Sequence, residues 1–274
     1  LHTQSKVRIH LDRFEYMRAG LADIKTREGL IMEISPLSSP LLPSDYGGYR
    51  SADVTDRLGL IEKYKDHDAV DKSMIQEPTY IWNGQPYRQL VGEHTKFELI
   101  VAAHVLEHVP NLIMFLNDMA SILDKEGQLR LIFPDYRYCF DWSRQPSRLA
   151  DIIAAYSENR TKPTSADVYD YFALVHTGGV RNVPTEHWAV SDEMLFETRV
   201  LTPSLDWHAA AMTEVTHSHA SYVDVHVWRF DSTTFYEYMS FLTKVGLLKL
   251  QLVNIVPAQK NNFEIFASFE HVTT

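Results

Sequence analysis

Three titratable side chains cluster at the end of one apolar run of the sequence. The segment FELIVAAHV, residues 97–105, carries His104 near its end and is followed by Glu107 and His108. Such a run is typical of a strand buried on both faces of a parallel sheet, and ligands bind beyond the carboxyl ends of these strands. Imidazole and carboxylate groups there could transfer protons or bind polar substrate groups. The alternative is that Glu107 only begins the next helix, where the helix dipole favours a carboxylate.

A second polar cluster follows the segment QLRLIFPDY, residues 128–136, which predicts a strand ended by Pro134. Arginine and aspartate alternate there with aromatic residues, a composition suited to binding sugar hydroxyls or an acidic group. We predict that this cluster binds substrate, with its first aspartate also a candidate catalytic residue; the alternative is a loop closed by its own ion pairs. The cluster comprises Asp135, Tyr136, Arg137, Asp141 and Arg144.

The chain contains 13 histidines, a high number for its length. We predict that His226 or His176 acts as a general base, because the pKa of imidazole lies near neutrality; the alternative is a hydrogen-bonded histidine near the core. The segment DVHVW, residues 224–228, is read as a strand. The neighbouring pair His217 and His219 leaves a metal-assisted reaction open, but no H-E-x-x-H motif or cysteine pair supports it, so we predict no metal ligands.

These candidate residues require an alternation of strands and helices to position them. Apolar runs predict strands, and periodic amphipathic segments predict helices. The alternation is typical of βαβ units around a parallel sheet. Strands are predicted over 29–35, 49–53, 79–84, 97–105 and 128–136. Helices are predicted over 5–28, from 57 to about 72, over 111–127 and over 148–159. Gly127 is predicted to be the C-terminal stop of the third of these helices.

Residues 145–221 are predicted to be a mostly helical insertion after the fifth strand. An insertion at this position would cover the pocket and set substrate choice. The alternative is that it forms a subunit contact in a homo-oligomer. We predict a single domain over residues 1–274 that includes this insertion.

Residues 97–141 resemble the class I S-adenosylmethionine-dependent methyltransferases, in a branch often associated with glycan biosynthesis. The likeness consists of a strand, the LEH segment followed by Val-Pro, a helix, and a strand closing on Pro-Asp. Residues 222–271 are similar to the closing portion of that family, a helix leading into two antiparallel strands. The resemblance implies an α/β, Rossmann-like fold with a seven-stranded, mostly parallel sheet and helices on both faces.

The resemblance also implies S-adenosylmethionine as cofactor, with acids at the ends of the first two strands. Glu33 and Asp53 match those acids and are twenty positions apart. One departure is the loop after the first strand, Ser35-Pro36-Leu37, which has no glycine where the family usually has one. The implied cofactor residues are Glu33, Ser35, Asp53, Thr79, Ala103, His104 and Leu106, and Glu107 and His108 join the cluster at 135–144 as substrate residues.

Methyl transfer to an oxygen or nitrogen of a small molecule or glycan is the function implied, with a saccharide hydroxyl as first choice. A glycosyltransferase, separate or fused, is the implied partner. Two alternatives remain open. One is a cofactor-free domain of this fold that serves as a glycan-binding or scaffold module; the other is a histidine-based, metal-assisted enzyme.

Composition limits the classes of partner. The chain has 274 residues, 45% of them hydrophobic, and a net charge of −10, so a phosphate-binding groove and a nucleic-acid partner are not expected. No apolar run is long enough for a membrane span. The single cysteine, Cys139, favours a reducing compartment, and we expect a cytoplasmic protein. The chain begins at Leu1 rather than methionine, which suggests a fragment of a larger protein.

Overall fold

One seven-stranded sheet organises the molecule in the computed structural model, which describes residues 13, 16, 29–174, 203–259 and 262–272. Its order is β3-β2-β1-β4-β5-β7-β6, with β7 antiparallel to both neighbours and the first five strands parallel. This is the class I methyltransferase fold, so the predicted fold class is confirmed. The strands are β1 (Ile31–Ile34), β2 (Tyr49–Asp53), β3 (Tyr80–Ile81), β4 (Phe97–Ala103), β5 (Leu123–Pro134), β6 (Leu250–Val256) and β7 (Glu264–His271).

Side-chain alternation along β4 shows why the central strands are apolar throughout. Ile100 and Ala102 pack in the large core beneath the helices, whereas Leu99 and Val101 pack on the opposite face. Both faces are therefore shielded from water, as expected of a parallel sheet. The opposite face is covered in part by Leu41, with Tyr16 and Leu42 in the same cluster.

Seven helices surround the sheet in the described part of the chain. Several begin at a polar residue whose side chain accepts a hydrogen bond from the first turn: Asn111 accepts from the Met114 backbone and Asp231 from the Thr234 backbone. The helices are α1 (Arg57–Lys63), α2 (Tyr87–Val91), α3 (Leu112–Ile122), α4 (Leu149–Ser157), α5 (Ser165–Leu174), α6 (Leu205–Ala220) and α7 (Ser232–Lys244).

The helix predicted over 111–127 ends early, at Ile122, and its last residues belong to β5 instead. Leu123 has extended backbone angles and pairs with Phe97 of β4. Gly127 is not a helix stop: a Cβ there would lie 2.9 Å from the Phe97 carbonyl oxygen, so glycine permits close approach of two strands. The prediction was wrong because the periodicity of residues 119–123 could not show where β-sheet pairing begins.

Two other predicted elements are shorter than expected. The helix from 57 to about 72 ends at Lys63, and only Leu60 of α1 is buried, so little apolar surface extends it. The strand predicted over 79–84 is limited to Tyr80–Ile81 at the sheet edge. The helix predicted over 5–28 lies outside the described residues, except for positions 13 and 16.

The region predicted as an insertion contains α4, α5 and α6, and residues 175–202 lie outside the described part. The segment that follows, residues 221–229, is extended but forms no strand, contrary to prediction. Its backbone bonds elsewhere: the N–H groups of Val227 and Trp228 donate to the carbonyl of Glu107, at 2.7 and 3.1 Å. Within the described residues, no helix has both the length and the apolarity needed to cross a membrane.

Candidate functional site

A cleft of about 1390 Å³ opens at the carboxyl ends of the parallel strands. This is the edge at which open α/β sheets bind ligands, because loops diverge there on either side of the sheet. The cleft brings together part of the predicted site from three different strands. The predicted residues that line it are Glu33, Ser35, Asp53, Ala103, His104 and His108.

Glu33 at the end of β1 fastens the loop that follows. Its carboxylate accepts hydrogen bonds from the backbone N–H groups of Leu41, at 2.8 Å, and Leu42, at 3.2 Å. The Tyr49 hydroxyl donates a third. Burial raises the pKa of Glu33 to about 7, because these hydrogen bonds offset only part of the lost hydration. Both oxygens are therefore used to hold the loop over the sheet.

The glycine-free loop after β1 adopts the backbone that glycine usually provides. Ser35 and Leu37, on either side of Pro36, both have left-handed angles, with φ of 53° and 49°. Side chains other than glycine occupy this region at a cost of roughly 1–2 kcal/mol each. The chain thus makes the tight turn without glycine, and it places both residues on the cleft wall.

Asp53 ends β2 with a buried carboxylate that faces the cleft. One oxygen accepts from the Val54 backbone N–H at 2.8 Å, and the Ser35 hydroxyl also donates to the carboxylate. Burial raises the pKa of Asp53, and these hydrogen bonds with the charge of Lys63 offset part of the rise. A carboxylate held in this way can accept further hydrogen bonds from hydroxyl groups in the cleft.

His104 is held between two buried carboxylates just beyond β4. Its Nδ1 lies 3.1 Å from Glu107 Oε1 and its Nε2 lies 2.9 Å from Glu264 Oε1. Burial alone would lower the pKa of His104, but the hydrogen bonds and charges of the two carboxylates raise it to about 9. His104 is therefore an imidazolium near neutral pH, and it is not available as a base. Arg13 forms a second ion pair with Glu264.

A second ion-pair chain lies on the cleft wall around His108. His108 Nδ1 lies 2.8 Å from Asp224 Oδ1, and Lys63 Nζ lies 3.2 Å from the other oxygen. Asp224 thus joins the segment 221–229 to the 3₁₀ turn after β4 (Leu106–His108) and to α1. All three residues line the cleft.

Glu107 and His226 form a buried layer behind this wall. The rings of His108 and His226 meet edge to face with centroids 4.6 Å apart. His226 is buried and its Nδ1 is hydrogen-bonded to Asp141. It does not line the cleft as the structure stands, so the predicted base lies one layer behind the surface.

The cluster at 135–144 is folded inward rather than presented as a rim. Asp141 and Arg144 are almost completely buried and form an ion pair at 2.6 Å. Asp135 is fully buried and receives two hydrogen bonds from the Arg137 guanidinium, at 2.9 and 2.7 Å. These contacts match the alternative interpretation, a loop closed by its own ion pairs. With their neighbour Tyr136, all these residues lie outside the cleft lining.

Two other predicted residues, Thr79 and Leu106, also lie away from the cleft wall. Thr79 is exposed, and its hydroxyl accepts a hydrogen bond from the Ser51 backbone. Leu106 is buried in the main core. His176 lies outside the described residues.

Sequence reasoning missed several residues that complete the site: Arg13, Lys63, Asp224 and Glu264. Glu264 had a topological signal. It begins β7, and the start of an antiparallel strand lies at the same edge as the ends of its parallel neighbours. Asp224 had a weaker signal in the sequence: it is an acidic residue two positions before the candidate base His226. Nothing local in the sequence indicates Lys63, which reaches the cleft from the last turn of α1.

Comparisons with known proteins give distant likenesses only. No protein-family model and no curated protein matches the chain. A methyltransferase from Clostridium acetobutylicum is 8% identical over 98% of this chain and 95% of its own, with a TM-score of 0.45. The CcbJ methyltransferase from Streptomyces caelestis is 10% identical over 96% and 90%, with a TM-score of 0.44.

A third solved structure, the trans-methyltransferase CalH in complex with SAH, is 16% identical. That match covers 44% of this chain and 37% of CalH, with a TM-score of 0.30. At such identities and scores, the fold assignment depends on the strand order of the sheet itself.

Proposed function

We propose that the protein binds S-adenosylmethionine in the cleft and transfers its methyl group to an oxygen or nitrogen of a small molecule or glycan. The observation that carries this proposal is Asp53, a carboxylate at the end of β2 that faces the cleft beside the turn after β1. An acid at this position in a Rossmann-like sheet accepts hydrogen bonds from ribose hydroxyls.

The residues on this side of the cleft fit a nucleoside with an amino-acid tail. Asp53 offers acceptors to a ribose, and the left-handed turn at Ser35 brings backbone close to the cleft. Trp82 presents an aromatic side chain after β3, stacked on Tyr87 with centroids 6.1 Å apart. S-adenosylmethionine, when bound, supplies an electrophilic methyl group; the chain supplies orientation and exclusion of water.

Acceptor binding is assigned to the wall around His108, which also lines the cleft. A carboxylate only accepts hydrogen bonds, so Asp224 requires the proton of His108 on Nδ1. Neutral His108 then has a lone pair on Nε2 that could receive the proton lost by a hydroxyl or amine. His104 cannot take this role, because both of its ring nitrogens are hydrogen-bonded to carboxylates, Nδ1 to Glu107 and Nε2 to Glu264.

A saccharide hydroxyl remains our preferred acceptor within this proposal. Charged groups with both donors and acceptors line this wall together with Tyr222 and Tyr156, a mixture suited to a ring with several hydroxyl groups. The preference concerns the class of acceptor and does not select an atom.

Calorimetric titration with S-adenosylhomocysteine tests the cofactor assignment. We expect micromolar binding to the wild type and about 10- to 100-fold weaker binding to Asp53→Ala, the effect of losing hydrogen bonds to a charged group. The matched control is Asp68→Ala, at an exposed position outside the cleft lining. No binding at millimolar concentration, with the protein folded, would refute the methyltransferase proposal.

One observation favours a second function, a cofactor-free module that binds glycans. Pro36 has no N–H group to offer a ligand, and Thr79 lies outside the cleft, so two family contacts are missing. That function predicts saccharide binding to the wild type without any binding of S-adenosylhomocysteine.

A further inference from the structure

Three side chains with free acceptor atoms converge behind the cleft wall. Glu107, His108 and His226 each have one ligand-type atom, and these atoms lie within 4.8 Å of one another. They come from the 3₁₀ turn after β4 and from the extended segment 221–229, which are tied together by backbone hydrogen bonds. The convergence is therefore built into the fold.

Neighbouring carboxylates determine which imidazole nitrogen is available on each histidine. Asp224 accepts a hydrogen bond from His108 Nδ1, and Asp141 accepts one from His226 Nδ1. In the neutral form of each ring the single proton is thus on Nδ1, and Nε2 has a lone pair. Among the described residues, neither Nε2 atom has a hydrogen-bond partner.

Glu107 contributes the third acceptor. Its Oε1 accepts from His104, whereas its buried Oε2 has no hydrogen-bond partner among the described residues. A buried carboxylate oxygen without a partner costs free energy unless a cation or donor satisfies it. A ligand atom of each of the three residues lies within 4.8 Å of the other two, so one cation between them would satisfy this oxygen together with both histidines.

We propose that Glu107, His108 and His226 bind one divalent transition-metal ion of the zinc class. Two histidines and a glutamate are a ligand set that leaves room for a fourth ligand. Both histidines have the carboxylate on the second nitrogen that orients metal-bound imidazole in proteins. Two ligand atoms of a tetrahedral zinc ion lie roughly 3.3 Å apart. The ligand atoms of these three residues lie at most 4.8 Å apart, so binding would require them to approach one another by up to about 1.5 Å.

This proposal is independent of cofactor binding. His108 lines the cleft, which gives an ion a route from solvent, and none of the three ligands belongs to the wall formed by Ser35 and Asp53. Metal binding and proton acceptance both use Nε2 of His108, so the assignment of His108 as base applies to the metal-free protein.

The test is zinc stoichiometry of the full chain by elemental analysis, after chelator treatment, readdition of zinc and dialysis. We expect one zinc per chain and a rise in Tm of roughly 5 °C or more at saturating zinc. Glu107→Gln and His226→Asn should both lose the zinc and the Tm shift. The matched control His94→Asn, at an exposed position, should retain both.

Glu107→Gln also separates metal binding from a structural role. The variant also loses the carboxylate that pairs with His104, so without metal it should melt below the metal-free wild type, and the readout for metal binding is the loss of the rise in Tm on addition of zinc. His226→Asn is checked by far-UV circular dichroism, and cobalt absorption of the wild type reports the ligands without any substitution. Substoichiometric zinc in the wild type, or full zinc retention in both variants, would overturn the proposal.

Discussion

Replacing His104 by asparagine should remove a pH-dependent part of the stability of this protein. His104 has a left-handed backbone, with φ of 54°, which asparagine adopts more readily than most residues. The change therefore preserves the turn while removing the imidazolium between Glu107 and Glu264. Burial opposes the charge of His104, but the two carboxylates outweigh it and raise its pKa to about 9.

The size of the effect follows from the shift in pKa. A rise from the ordinary value of 6.5 to about 9 corresponds to about 3.4 kcal/mol, at 1.36 kcal/mol per unit. The His104 side chain is 32% exposed, so solvent screening reduces this to about 2–3 kcal/mol. Because the folded-state pKa is raised, this stability is fully present below pH 6.5 and is lost as the pH rises through 9.

Urea denaturation between pH 6 and pH 10 measures the effect as the difference between wild type and His104→Asn. The quantity compared is the unfolding free energy of the wild type minus that of the variant. This difference should be about 2–3 kcal/mol larger at pH 6 than at pH 10. His108 also has a raised pKa, but it titrates in both proteins and cancels in the difference. The control His94→Asn should follow the wild-type profile. Parallel profiles for wild type and His104→Asn would refute the reasoning.

Three further predictions concern stability and are checked by the same urea denaturation. Asn159 lies two residues beyond the end of α4 and has a left-handed φ of 49°, so Asn159→Ala should lower the unfolding free energy by about 1 kcal/mol, while Asn159→Gly should not lower it. Phe235→Ala, in the core, should lower the unfolding free energy by about 3–5 kcal/mol. Phe241 is 45% exposed on the same helix, so Phe241→Ala should lower it by less than about 1 kcal/mol. Equal losses would contradict the packing described. Arg144→Met leaves Asp141 buried without its guanidinium and should cost about 3 kcal/mol, part of which the added change Asp141→Asn should restore.

The mostly parallel sheet was predictable because it depends on apolar runs that alternate with helical segments. Five of the seven residues of β4 are buried and the other two are half-buried, so a nearly continuous apolar run was enough to identify this strand as a central one. Boundaries were less predictable. The start of β5 at Leu123 depends on pairing with Phe97, a partner 26 residues away that local periodicity does not reveal.

The site residues that are placed by their own strand were predictable, whereas those placed by contacts between distant segments were not. Glu33 and Asp53 lie at the ends of β1 and β2, and His104 follows β4 directly, so the rule that ligands bind at strand ends located them. The pairing of His108 with Asp224 joins residues 116 positions apart and could not be read from either segment. The cluster at 135–144 had suitable chemistry, but burial of Asp141 and Arg144 is a property of tertiary packing.

The position of β7 between β5 and β6 has a consequence for the order in which the protein matures. Contacts between residues far apart in sequence form slowly, and a chain made on the ribosome gains them only after the later partner has been synthesised. Glu264, the partner of His104, comes 160 residues after it. Until that strand inserts, β5 has an unpaired edge, β6 has no strand partner, and His104 lacks one of its two carboxylates. Nascent chains are therefore expected to have a sheet before they have a binding site, and chaperone contact should be directed to those two edges.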